Sequence, residues 1–241
     1  MQKLFLDYGF DKKIALDEEQ SRHIAKSLRM KKGDMITVCN GNGTDYGCII
    51  EEITKSGVTL SVCYEQASQS EPDIRVSLYQ GVPKGDKMED IIQKCVELGV
   101  FSITPVLTKR SISRPDEKQA AKKQIRYGKI ALEAAQQSGR GIVPEIKSMT
   151  DFKTAVNECD ADLIILFYEG GGESLKSIIR NSEAKSIAVF IGPEGGFEKE
   201  EVDAVLQKGG TSATLGKRIL RTQTAPVAAL SAIMLLTGNL E

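Results

Sequence analysis

The spacing of apolar residues changes at about residue 70. Before that point the runs are short and punctuated by turns. Asp17, with Gln20 three residues on, reads as a capping box. It opens a helix to about Arg29 that turns Ile24, Ala25 and Leu28 inward. Strand-like runs follow at residues 35–39, 46–53 and 58–64. The Asn40-Gly41-Asn42-Gly43 and Lys55-Ser56-Gly57 turns separate them. Short strands with tight turns predict a small β-barrel over residues 1–70. The polar stretch 66–72 reads as a linker.

From residue 73 to residue 241 strands alternate with helices. Val76, Leu78, Gln80 and Val82 alternate along one strand. Asp86 and Glu89 are expected to cap a helix whose stripe is Met88, Ile91, Ile92 and Cys95, ended by Gly99. A strand at 103–106 precedes a long helix over 115–138 and another over 150–159. Residues 163–167 and 187–191 are continuous apolar runs, as in central parallel strands covered on both faces. The second region is therefore α/β with a mostly parallel sheet.

Composition narrows the chemistry. The five cysteines form no CxxC pair, which argues against zinc and against a disulfide framework, so no metal is expected. The most apolar stretch, residues 226–236, is shorter than the roughly 18–20 residues that span a bilayer. No basic-then-apolar leader opens the chain. A soluble, cytoplasmic protein is expected. The net charge of −1 hides eight basic residues between Lys109 and Lys129, opposed only by Asp116 and Glu117. Such a cluster suits a nucleic-acid backbone as well as it suits a solvated helix face.

Three glycine-bearing loops follow strands: Leu166 to Gly172, Ile191 to Phe197 and Leu215 to Pro226. Ligands of open α/β sheets gather at such strand ends, and glycine admits close backbone approach. No GxxxxGK[ST] or GxGxxG is present. The helix after Phe197 opens with Glu198, Glu200 and Glu201, which would repel a phosphate. An adenine-bearing ligand without phosphate fits better than a nucleotide. Thr224 is expected to cap a last helix with Pro226 near its start. That helix is apolar nearly all round, which suits a core or an oligomer interface. Arg218 and Arg221, just before it, are fixed positive charges.

The segments IGPEGGF and LGKRILRTQTAP resemble the signature of the SPOUT methyltransferases, and in particular the RsmE family of 16S rRNA uridine-N3 methyltransferases. QGVPKGDKME, KCVELGV and EAAQQSGR support the narrower resemblance, which spans essentially the whole chain. It departs at Gln2-Lys3 and at Lys26-Ser27. The resemblance implies a trefoil-knotted α/β domain, a PUA-like N-terminal barrel and a homodimer. The implied cofactor is S-adenosylmethionine, held by Leu166, Tyr168, Glu169, Gly192, Glu194, Gly195, Leu215, Gly216, Ile219, Leu220, Arg221, Thr222 and Ala225, with Gly170, Ile191 and Pro193 beside them. The implied substrate is one uridine of 16S rRNA in the small ribosomal subunit. A related SPOUT enzyme acting on a ribose 2′-OH or on tRNA is the rival within the class.

Uracil N3 is weakly acidic, so a base or a nearby cation would assist its attack. Arg221 is the expected anion stabiliser and Glu194 the expected base, against a structural role for Glu194 bonded to loop amides. RNA contacts are expected at Arg22, Arg29, Lys109, Arg110, Arg114, Lys122, Arg126, Gln137 and Arg140. His23, the single histidine, is expected to pack or to contact RNA. A ribosome-associated module without catalysis and a regulator binding another adenine ligand are the readings from other classes.

Overall fold

The computed structural model describes residues 3–6, 11–54 and 57–240. Gln2, Lys55 and Ser56, named above, lie outside them. The chain divides into two units, Met1–Glu71 with Ala135–Val143, and Pro72–Ala134 with Pro144–Glu241.

The first unit carries β1 (Lys3–Phe5), β2 (Lys13–Ala15), α1 (Glu18–Arg22), β3 (Met35–Cys39), β4 (Thr44–Ile53) and β5 (Val58–Ala67). They form a mixed sheet in the order β1-β3-β4-β5-β2, with β1 parallel to β3 and the other neighbours antiparallel. Ile14, Ile24, Ile36, Val38, Ile50 and Leu60 form its core. The Asp17–Gln20 capping box is present. The helix is shorter than expected, passing into a π-helical turn at His23–Ser27 on which His23 is exposed. Strand β5 runs on to Ala67, so the stretch expected as a linker begins as strand and ends at an anchor. Glu71 accepts from the Gly141 and Ile142 amides at 2.7 and 3.1 Å.

The second unit follows with β6 (Arg75–Gly81), α2 (Lys87–Glu97), β7 (Ser102–Leu107), α3 (Glu117–Ser138, of which residues 135–138 fall in the first unit), β8 (Glu145–Ile146), β9 (Thr150–Asp151) and α4 (Phe152–Asn157). After these come β10 (Leu163–Phe167), β11 (Glu173–Ser174), α5 (Leu175–Arg180), β12 (Ser186–Ile191), α6 (Lys199–Gln207), β13 (Thr211–Thr214) and α7 (Thr224–Leu236). The sheet order is β11-β13-β10-β12-β6-β7-β8, every pair parallel. The two continuous apolar runs are indeed adjacent central strands. Helices α2, α5 and α7 pack together, as do α4 and α6. Tyr79 and Phe190 stack at 4.4 Å beneath α4, and Phe152 meets Phe190 edge-on.

Three helix starts differ from expectation. Asp86 occupies the cap position of α2 without a side-chain cap bond; its carbonyl accepts from the Glu89 amide instead. Thr150 and Asp151 pair with β7, and Asp151 then caps a shorter α4. Gln223, not Thr224, occupies the cap position of α7, without a side-chain cap bond, and the Thr224 amide turns back to the Arg221 carbonyl at 2.8 Å.

Candidate functional site

Strands β10, β12 and β13 end side by side, and the three loops leaving them enclose a cavity of ≈ 700 Å³. The first loop turns at Tyr168, whose amide bonds the Ala213 carbonyl at 3.1 Å. The second turns through Pro193–Gly196, closed by the Gly196 amide on the Pro193 carbonyl at 2.9 Å. Gly196 has φ +71°, and a Cβ there would lie 2.5 Å from a Glu169 carboxylate oxygen. The left-handed φ favours glycine, and a larger residue would also displace the end of the Glu169 side chain. The third loop is stiffened at its ends. Thr214 Oγ1 brackets Gly216, and the Thr224 and Ala225 amides bond the Arg221 carbonyl.

Every residue expected at the cofactor site lines this cavity except Leu166 and Gly195. Leu166 is fully buried in the core with Ile164, Ala188 and Val205. It faces away because side chains alternate along a strand. The Gly195 carbonyl instead accepts from Arg110 Nη1 at 2.7 Å. Sequence reasoning missed the lining position Thr214, which alone among the lining residues lies outside the three loops. It also missed Gln80, fully buried below the loops and bonded to Gly192 and Thr222.

Charges on the second wall are engaged inside the protein. Glu194 accepts from Lys87 Nζ at 2.6 Å and from the Lys84 amide at 3.3 Å. Partial burial alone would raise its pKa, but the Lys87 bond and the loop amides outweigh burial and hold it below the usual value. A lowered pKa makes this carboxylate a weaker base and favours the structural role weighed for Glu194 over that of base. Glu198 pairs with Arg110 at 2.9 Å and Glu200 with Lys109 at 2.6 Å. Buried Glu201 accepts from the Lys109 and Glu198 amides. The acidic first turn of α6 thus anchors the start of the basic cluster.

The third wall is different. Lys217, Arg218 and Arg221 are exposed at the cavity. No hydrogen bond or ion pair involves the Arg221 side chain among the described residues. A second cavity of ≈ 630 Å³ lies along α4 and α6 over Phe152, Val156 and Ala204, away from these loops.

The residues expected to meet RNA fall into two groups. Arg22, Arg29, Lys109, Arg110, Arg114, Lys122, Arg126 and Gln137 are exposed, although Arg22 pairs with Glu18 and Arg126 with Glu89. Arg140 is a correction. It is only 3% exposed, and its Nη2 lies 2.6 Å from Glu71. A guanidinium so enclosed clamps its own unit and is not available to a phosphate.

Residues 69–234 match the family described as RNA methyltransferase domain, and residues 16–63 match the RNA methyltransferase PUA domain. The ribosomal RNA small subunit methyltransferase E of Bacillus subtilis (strain 168) is 38% identical over 227 residues, covering 91% of this chain and 89% of the relative. A crystal structure of the Neisseria gonorrhoeae ribosomal RNA small subunit methyltransferase E bound to S-adenosyl methionine is 30% identical, with TM-score 0.87 and 98% of each chain covered. A Legionella pneumophila putative methyltransferase, solved with its bound cofactor SAM, is 29% identical with TM-score 0.84, covering 97% of this chain and 96% of that one. By sequence and by fold, this chain belongs to the ribosomal RNA small subunit methyltransferase E family of RNA methyltransferases.

Proposed function

We propose that the chain is an S-adenosylmethionine-dependent methyltransferase acting on N3 of a specific uridine of 16S rRNA in the small ribosomal subunit. The observation that carries this reading is the three-loop cavity with the unpartnered Arg221 at its wall. The lining fits the cofactor. Gly196, with its left-handed φ, brings the second loop close to Glu169, and the Glu169 carboxylate faces the cavity, where it suits a cationic ligand better than a phosphate. Tyr168, Glu169, Leu215, Gly216, Leu220 and Ala225 would hold the cofactor, which when bound supplies a methyl group on a sulfonium.

The chain's own work is electrostatic. As N3 loses its proton, negative charge spreads over the uracil, and the Arg221 guanidinium is a fixed cation beside it. With Glu194 tied to Lys87, the N3 proton passes to solvent water. The exposed cations of Lys109–Arg126 and of Arg22 and Arg29 would meet the RNA backbone. The test is direct. Unmodified small subunits are incubated with the protein and labelled cofactor, and the methyl group is located by mass spectrometry. Label on a ribose, on tRNA or nowhere refutes the reading.

The same proposal includes a cytoplasmic homodimer, the trefoil knot and closure of the N-terminal barrel. Among the described residues no helix is long and apolar enough to cross a membrane. Ile219, 87% exposed, and Leu235 on α7, 54% exposed, support a covered face in a dimer. The return of α7 after β13 to pack on α2, β6 and β12 supports the knot.

A further inference from the structure

Gln80 sits near the end of β6, opposite Ile191 of β12. It does not line the cavity, yet it joins two of its walls from below. Its amide nitrogen lies 3.1 Å from the Gly81 carbonyl, 3.4 Å from the Gly192 carbonyl and 3.2 Å from Thr222 Oγ1. Thr222 Oγ1 in turn donates to the same Gly192 oxygen at 3.0 Å. Carbonyl oxygens only accept, so the NH2 group must face them. That orientation leaves Gln80 Oε1 buried with no hydrogen-bond partner.

An orphaned buried oxygen is a cost to stability, which an apolar side chain of similar size would remove. Strand packing alone therefore does not account for the residue. What only an amide supplies here is a donor reaching both Gly192 on the second loop and Thr222 on the third. Thr222 adjoins Arg221, so the link also fixes the segment that carries the unpartnered guanidinium.

We propose that Gln80 is a positioning residue that holds the second and third walls of the cofactor cavity in register, at the expense of an unsatisfied oxygen. This rests on the cavity being the S-adenosylmethionine pocket. Freed from Gln80, the third loop would sample more positions, and binding would lose affinity to the cost of ordering it.

The test uses the full chain with Gln80→Leu and Gln80→Glu. For Gln80→Leu the melting temperature is expected to hold or rise, while the calorimetric Kd for S-adenosylmethionine weakens about tenfold. A Kd within twofold of wild type overturns the proposal. If Gln80→Leu unfolds, Gln80→Glu decides. Its new carboxyl would face two carbonyl oxygens, so it can bridge only when protonated. Cofactor affinity should approach wild type at low pH and fall as pH rises, relative to the wild-type profile. A deficit with no pH dependence overturns the positioning role. Should wild type bind no S-adenosylmethionine, the pocket reading fails first. Hydrogen exchange in the ligand-free protein still tests the link. The Thr224 and Ala225 amides should exchange faster in Gln80→Leu, and equal rates refute it.

Discussion

The second and third walls of the cavity are both strand-end loops rich in glycine and charge, yet they use charge in opposite ways. On the second, Glu194 is bound to Lys87, and Arg110 bridges Glu198 and the Gly195 carbonyl. On the third, Lys217, Arg218 and Arg221 stand exposed, and the anchoring is by backbone bonds and Thr222. A charge already paired inside the protein shapes a wall. A charge left unpaired is available to a reacting group. On the proposed function, the second wall is architecture and the third carries the chemistry.

The strongest way to break that contrast is Arg221→Ala. Loss of one preorganised electrostatic contact at a developing anion costs about 10²–10³ in kcat. S-adenosylmethionine affinity should change by no more than about threefold, since the backbone of the loop, not the guanidinium, holds its shape. Single-turnover methylation beside calorimetry separates the two. Near-normal turnover would move the chemistry off the third wall.

Arg140 is the extreme case of an engaged charge. Arg140→Ala leaves Glu71 buried beside two amides it still accepts from. Breaking such a pair costs about 3 kcal/mol, read from denaturant unfolding. The pH dependence follows from Glu71. Burial alone would raise its pKa, but the Arg140 bonds and charge, with the two amides, hold it below the ordinary value. A depressed carboxyl stabilises the fold above its unfolded pKa, and that stability is lost as pH falls through the folded value. The wild-type and Arg140→Ala curves should therefore converge in acid. A gap that stays constant down to the acid transition would remove Glu71 from the account.

These residues also show what the sequence made legible. Central strands β10 and β12 could be read because burial on both faces leaves a continuous apolar signature. Strand β13, Thr-Ser-Ala-Thr, carries no such signature, and two-residue strands such as β8 and β11 carry none at all. The three loops were visible as glycines after strands, and the Arg221 charge was visible as a residue type. Whether a charge is paired was not. Arg140 meets Glu71 across 69 residues and Lys87 meets Glu194 across 107, separations at which spacing carries no contact information. Gln80 could have been noticed as an amide on the same face of its strand as Val76, Leu78 and Val82.

Gly196→Ala sharpens the contrast from the architectural side. Its φ of +71° is strained for alanine, and the added Cβ would meet the Glu169 carboxylate. The backbone term alone costs about 1–2 kcal/mol. Both stability and cofactor affinity should fall, with kcat at saturating cofactor changed less than in Arg221→Ala. A variant that bound cofactor normally would show that the first two walls need not close.

Glu194→Gln is expected to do least, and is informative for that reason. The amide keeps an acceptor for the Lys84 backbone but loses the ion pair with Lys87. Partly exposed pairs of this kind are worth about 0–1 kcal/mol. The lost term is present at neutral pH and vanishes in acid, because Glu194 is held below its usual pKa in the wild type. Turnover should stay within about tenfold, and the pH–rate profile should keep its shape, since a carboxylate so weakly basic contributes no limb near neutrality. If the substitution instead abolished methylation and removed a limb from that profile, Glu194 would be the base after all, and the second wall would share the chemistry assigned to the third.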